Sequence, residues 1–256
     1  MVKGLEEFRK RFKGLEESYV LIGGTAASLI MEGSALPFRA TKDLDIVLIL
    51  ETLDSRFGSV LWNFIEEGGY QNLQRSSGRD IFYRFYAPSN LNFPSMLELF
   101  SRTPTMIAPH DNMHLTPIPL GDEVASLSAI LLDPEYYEFI RSGKVLVQGI
   151  PIVGADRLIP LKARAWLDLR TRRADGHDVD ERDVLKHRND IMRLAQVLDP
   201  VKTIFLPSTI YSSFQEALTQ LAGDSTINLK QLGIRRISVP QIVDLLRNVF
   251  VSDSAR

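Results

Sequence analysis

The segment that most constrains this chain lies near its N-terminus, where an apolar run ends on two glycines and a pair of aspartates follows about twenty residues on. Tyr19-Val20-Leu21-Ile22 has the apolar, partly β-branched composition of a buried strand. Gly23-Gly24 marks a tight turn. Thr25 to Met31 is apolar and alanine-rich, which predicts a short helix stopped at Gly33. Asp45 to Leu50 predicts a second buried strand. Two glycines at such a turn let the backbone approach a ligand closely, and a helix N-terminus offers free N–H groups to phosphate. Thr25 adds a hydroxyl donor. Alternate residues of an extended chain point the same way, so Asp43 and Asp45 face one site while Leu44 faces the core. Neighbouring carboxylates repel, and a divalent cation removes that cost. Mg²⁺ in particular is held by one or two carboxylates together with substrate phosphates.

The rest of the chain divides in character. Leu5, Phe8, Phe12 and Leu15 recur at helical spacing and predict an amphipathic helix over 3–17. Residues 56–67 predict a helix ending at Gly68-Gly69, and 81–86, 96–100 and 113–119 predict strands, the last an edge strand because prolines punctuate it. Beyond about 120 the pattern turns helical, over 121–132, 156–173, 179–198, 206–222 and 240–251, with a small hairpin over 145–153. The expected fold class is α+β: a mixed sheet with flanking helices over 1–120, followed by a mainly helical domain over 121–256.

Composition narrows the function classes. The 256 residues carry a net charge of −2, so no global basic field steers the chain onto nucleic acid. There is no cysteine, which rules out disulfides, thiolate metal sites and a cysteine nucleophile. The start, MVKGLEEFRKRFKGLEE, lacks the apolar centre of a signal peptide. No run approaches the ~18 apolar residues of a membrane span. The expectation is a cytoplasmic protein with no membrane partner.

A lone D-x-D is commonly a solvated strand entry, and a lone Gly-Gly is commonly a turn. Joined in this order, they resemble the polymerase-beta-like nucleotidyltransferases, whose signature is a glycine pair opening a helix and D-x-D on the next strand. Gly23-Gly24-Thr25-Ala26 with Arg39-Ala40-Thr41-Lys42-Asp43-Leu44-Asp45-Ile46 is most similar to the abortive-infection AbiEii-type branch, which includes toxins of toxin–antitoxin pairs. The resemblance implies a nucleotidyltransferase-type sheet, bound Mg²⁺ or Mn²⁺, and Asp43 and Asp45 as catalytic metal ligands. It also implies a third carboxylate on a neighbouring strand, where the family more often has aspartate. Here the candidate is Glu98, within Met96-Leu97-Glu98-Leu99-Phe100, with Asp80 as the alternative. Gly23, Gly24, Thr25, Arg39 and Lys42 would meet the nucleotide.

In the helical half, Lys162 lies beside the apolar stripe of Leu158, Leu161, Ala165 and Leu169. Asp183, Lys186 and Asp190 share roughly one helix face, where Lys186 and Asp190 also read as an ordinary surface ion pair. The AbiEii-type branch is similar here too, and it implies that Lys162, Lys186 and Asp190 form a phosphate-binding set. The implied reaction moves a nucleoside monophosphate from a nucleoside triphosphate to a hydroxyl, on tRNA or on a protein, with an antitoxin as partner. Arg164, Arg170, Arg172 and Arg173 form a local basic patch for a tRNA end. Two rival readings stand beside this: a non-catalytic nucleotide-binding module of the same fold, and an interaction protein in which D-x-D is incidental.

Overall fold

The computed structural model of the chain describes residues 2–72, 83–100 and 133–255. The expected strand at 113–119, the expected helix at 121–132 and Asp80 lie outside the described residues. The class is α+β, with a mixed sheet and flanking helices, as the sequence predicts. The chain forms two compact units. One is built from residues 1–29, the chain from Arg39 and the run ending at Gly154; the other from Ile30–Phe38 and the chain from Ala155 onward. This interleaved division differs from the single cut between 1–120 and 121–256.

The first unit is organised by a seven-stranded sheet of order β3-β4-β5-β2-β1-β7-β6. Its strands are β1 (Tyr19–Ile22), β2 (Asp43–Leu48), β3 (Gln71–Asn72), β4 (Tyr83–Tyr86), β5 (Met96–Phe100), β6 (Lys144–Val147) and β7 (Ile150–Val153). β1 and β2 are antiparallel, with Ile22 opposite Asp45. β2 and β5 are parallel, with Asp45 opposite Glu98. β4 runs antiparallel to β5 and sets Arg84 opposite Glu98. The central strands are apolar and carry few polar side chains, as strands covered on both faces must be. β6 and β7 form the expected hairpin, turned by Gln148 and Gly149, both at positive φ, which matches the twist of the flanking strands.

Helices α1 (Leu5–Arg11) and α3 (Ser55–Gly68) supply an aromatic cluster to this unit. Phe8 stacks on Phe12 at 4.1 Å between ring centroids and meets Tyr19 and Phe64 edge-on. α1 is shorter than the 3–17 the periodicity predicts. The helix ends at Phe12, and Gly14 takes a left-handed conformation. Phe12 and Leu15 are still buried, so the apolar spacing marks the core although the helix has stopped. α3 starts on Asp54, whose carboxylate accepts from the Phe57 N–H at 2.8 Å, and stops at Gly69 in the left-handed region. Helix α4 (Pro134–Ser142) is not predicted above. Its signals are Asp133 as cap and Pro134 at the first position.

The second unit is mainly helical: α5 (Ala155–Ala174), α6 (Glu181–Leu194), α7 (Ser208–Ala222) and α8 (Val239–Val249). α5 packs against both α6 and α7. Two predicted helices overrun strands. Phe250–Ser252 leaves α8 as β9 and pairs in parallel with β8 (Ile204–Leu206), a two-stranded sheet absent from the expectations. Short apolar runs next to a helix read as its continuation, because periodicity cannot separate the two at this length. No helix among the described residues is long and apolar enough to cross a membrane.

Phe250 is fully buried and meets Phe214 at 4.9 Å between ring centroids. Phe250→Ala is expected to lower the unfolding free energy by about 3–5 kcal/mol, read from urea denaturation. A loss under ~1 kcal/mol would show that β9 is peripheral to the helical unit's core.

Candidate functional site

Helix α2 (Gly23–Gly33) begins on the first glycine of the pair, directly after β1. Gly23 has φ +67°, and a Cβ there would overlap the Asp45 carboxylate, so both backbone and space demand glycine. A Cβ on Gly24 would come within 2.8 Å of Thr41 Oγ1 and 3.2 Å of Arg39 Nη2. The Thr41 hydroxyl and the Arg39 guanidinium thus lie against the glycine turn at the helix N-terminus. This is a cradle with the chemistry for phosphate: backbone N–H groups, a hydroxyl and a guanidinium.

Thr25 serves the site differently from expectation. Its side chain is fully buried and donates to the Asp43 carbonyl at 2.7 Å. The hydroxyl ties the start of α2 to the start of β2, and Thr41 stands where a ligand-facing hydroxyl was expected of Thr25. Asp43 and Asp45 are each half-buried while Leu44 between them is fully buried, the alternation expected of a strand with one face toward a site. Lys42 is exposed, and its carbonyl accepts from the Ser95 N–H at 2.8 Å, tying the motif to the approach of β5.

Glu98 is buried on β5 between Asp45 and Arg84. Arg84 donates through Nε to Glu98 Oε1 at 2.7 Å, with Nη2 at 2.6 Å from the same oxygen. Burial, and then the neighbouring Asp45 carboxylate, push the Glu98 pKa up to about 8 against the opposing pull of Arg84. A hydrogen bond between the Glu98 and Asp45 side chains works in the same upward direction. Glu98 therefore holds its proton more tightly than an ordinary carboxyl, as a buried carboxyl beside another does.

Among the described residues, no group of three or more His, Cys, Asp or Glu side chains is arranged to hold a metal ion. Asp43, Asp45 and Glu98 instead offer a close pair, Asp45 and Glu98, with Asp43 two residues earlier on β2. That donor set fits a hard divalent cation. The oxygens belong to carboxyl groups, and Mg²⁺ needs only one or two carboxylates when phosphates complete its shell. Arg84 was not singled out in the sequence. A cation amid the aromatic run Tyr83-Arg84-Phe85-Tyr86 was its only signal.

Lys162, Lys186 and Asp190 belong to the helical unit. Lys162 is 3% exposed, and its Nζ donates to Asp190 Oδ2 at 2.9 Å, with Asp190 fully buried. Arg193 Nη1 lies 3.5 Å from the other Asp190 oxygen. Lys186 pairs with Asp183 at 2.9 Å, one helical turn away. The surface pair of Lys186 with Asp190 drawn from helical spacing is therefore corrected. Asp190 faces inward to α5, and Lys186 takes the carboxylate on its other side.

In the arginine patch, the Arg170 guanidinium lies 4.9 Å from the Trp166 ring centroid and Arg173 pairs with Glu181. Arg170, Arg173 and the buried Arg188 line an open cleft of about 790 Å³. Arg188 donates to Asp224 at 2.8 Å and to Thr226 at 2.7 Å, anchoring the loop after α7.

No family model and no curated protein matches the chain. Among solved structures it is similar to an antigenic nucleotidyltransferase-like protein from Paracoccidioides brasiliensis, at 15% identity and a TM-score of 0.48, over 97% of this chain and 92% of that one.

Two substitutions check the local geometry. Gly23→Ala is expected to cost more than ~1 kcal/mol in urea unfolding, since the left-handed backbone and the overlap with Asp45 act together. Lys162→Met, which strands the Asp190 carboxylate, is expected to cost about 3–5 kcal/mol, with much of it recovered by pairing the change with Asp190→Leu.

Proposed function

We propose that this protein is a metal-dependent nucleotidyltransferase, moving a nucleoside monophosphate from a nucleoside triphosphate to an acceptor hydroxyl on tRNA or on a protein. The carrying observation is the Asp45–Glu98 carboxyl pair set against the glycine turn that opens α2. In this reading Mg²⁺ or Mn²⁺ supplies neutralisation of the triphosphate charge. The N–H groups at the start of α2 bind phosphate oxygens, assisted by Thr41 and Arg39. Asp43 and Asp45 hold the cation, and Lys42 adds positive charge at the rim. Glu98, once ionised, would complete the cation's carboxylate ligands or accept the proton of the acceptor hydroxyl. The acceptor oxygen bonds to the α-phosphorus as the bond to the bridging oxygen breaks, and pyrophosphate leaves. The motif Gly23-Gly24-Thr25-Ala26 with Arg39 to Ile46 supports an AbiEii-type assignment, in which the protein acts as the toxin of a toxin–antitoxin pair and an antitoxin restrains it.

One observation favours a second reading, a nucleotide-binding module without turnover. Glu98 is tied to Arg84, and that contact must give way before its carboxyl group can turn to a substrate hydroxyl.

The test incubates the protein with labelled triphosphates, Mg²⁺ and cell extract and follows label into macromolecules. The double change Asp43→Asn, Asp45→Asn is expected to cut labelling at least about 100-fold, the scale of losing a principal electrostatic group. Labelling at the unsubstituted rate would exclude the assignment. Triphosphate binding without any labelling would support the second reading.

A further inference from the structure

We propose that Arg84 is a built-in counter-ion that sets the divalent-cation affinity of the Asp45–Glu98 pair. The inference rests on the proposed metal site and adds a residue that neither the sequence motif nor the glycine cradle includes.

The sheet places the three residues in one cross-strand row. Arg84 on β4 is opposite Glu98 on β5, and Glu98 is opposite Asp45 on β2. Residues in register on neighbouring strands are close enough for side chains to meet directly. The row therefore reads as a guanidinium and two carboxyl groups, with Glu98 shared between the others. Arg84 meets one Glu98 oxygen twice, at 2.7 Å through Nε and 2.6 Å through Nη2. The Glu98 side chain is 9% exposed and that of Arg84 is 23% exposed, so the contact is shielded from water on the Glu98 side and reached by it on the Arg84 side. Shielding of this kind raises the strength of each charge interaction above its value in water.

Arg84 has two consequences for a cation at this pair. It engages a Glu98 oxygen that would otherwise donate to the cation, and its fixed positive charge repels a divalent ion held next to it. Both act in the same direction: they weaken binding. A cation binds by taking Glu98 from the guanidinium, and a triphosphate, bringing its own negative charge, assists by offsetting the Arg84 repulsion. The site is thus tuned to hold its cation firmly only with a triphosphate present, which fits a centre whose cation arrives with substrate.

The test is direct Mn²⁺ binding to the full chain, followed by loss of the free-ion electron paramagnetic resonance signal, with and without a non-hydrolysable triphosphate. Arg84→Gln and Arg84→Met, two neutral replacements of different polarity, are expected to tighten Mn²⁺ binding in the absence of nucleotide by about tenfold, the scale set by removing one nearby like charge. Arg84→Lys, which keeps the charge, is expected to stay within about twofold of the unsubstituted protein. The gain in affinity brought by the triphosphate should shrink in the neutral variants. Circular dichroism confirms that each variant is folded, and two neutral replacements guard against failure of either. Binding lost in Asp45→Asn but unchanged or weakened in both neutral variants overturns the role of Arg84 and leaves the metal site standing. Mn²⁺ binding that is absent from the unsubstituted protein, or indifferent to Asp45→Asn, overturns the metal site and this inference together.

Discussion

Everything at the candidate site depends on two acidic side chains forced together by strand register. Asp45 and Glu98 are directly opposite across the parallel β2–β5 pair, and Leu44, Ile46, Leu97 and Leu99 around them are fully buried. Register cannot slip to separate them, because a one-residue shift would turn those apolar side chains out of the core. Two like charges about 4 Å apart repel by about 4 kcal/mol at an effective dielectric near 20. The fold meets that repulsion in two ways, a raised Glu98 pKa and the Arg84 guanidinium on Glu98. The remaining features of the site hold this arrangement still. Gly23 leaves room for the Asp45 carboxylate, and Thr25 pins the start of β2 to α2.

How much of this was legible in the sequence follows from the range of each signal. The strand, glycine turn, helix and aspartate pair are local, and their order can be read from a single stretch of chain. The alternation of Asp43, Leu44 and Asp45 needs only the period of a strand. Glu98 stood out as a charge within an apolar run, a burial argument that also needs no partner. Arg84 is different. Its role comes from being opposite Glu98 on a neighbouring strand, and register between strands is a tertiary property with no signature in either strand alone. Thr25 illustrates a subtler miss. Its residue type suits ligand binding, yet in the folded chain the backbone carbonyl of Asp43 takes the hydroxyl. The strand β9 was lost for a third reason, since a three-residue apolar run after a helix has no period of its own.

The helical unit shows the same physics with a buried pair of opposite charges. Lys162 and Asp190 are both buried, and an isolated charge there would be untenable. Removing two ions from water costs several kcal/mol each, so such a pair is weak support for stability and strong support for a fixed arrangement. Arg193 approaches the second Asp190 oxygen and adds positive charge on that side of the carboxylate. α5 and α6 are thereby locked in one register relative to each other, since sliding either helix would separate the pair within a low-dielectric interior.

The identity of residue 98 carries one more consequence. Glutamate places its carboxylate one methylene farther from β5 than aspartate would. In a flat row of facing residues, a short side chain can approach only one neighbour well, whereas the longer one reaches between strands. Glu98 contacts Arg84 on one side and Asp45 on the other, and it does so while buried, with little freedom to relocate. An aspartate at this position would have to choose between the counter-ion and the carboxyl partner. The extra methylene is thus tied to Arg84: a chain that keeps a cation opposite its third carboxylate needs the reach of glutamate to keep that carboxylate at the site as well.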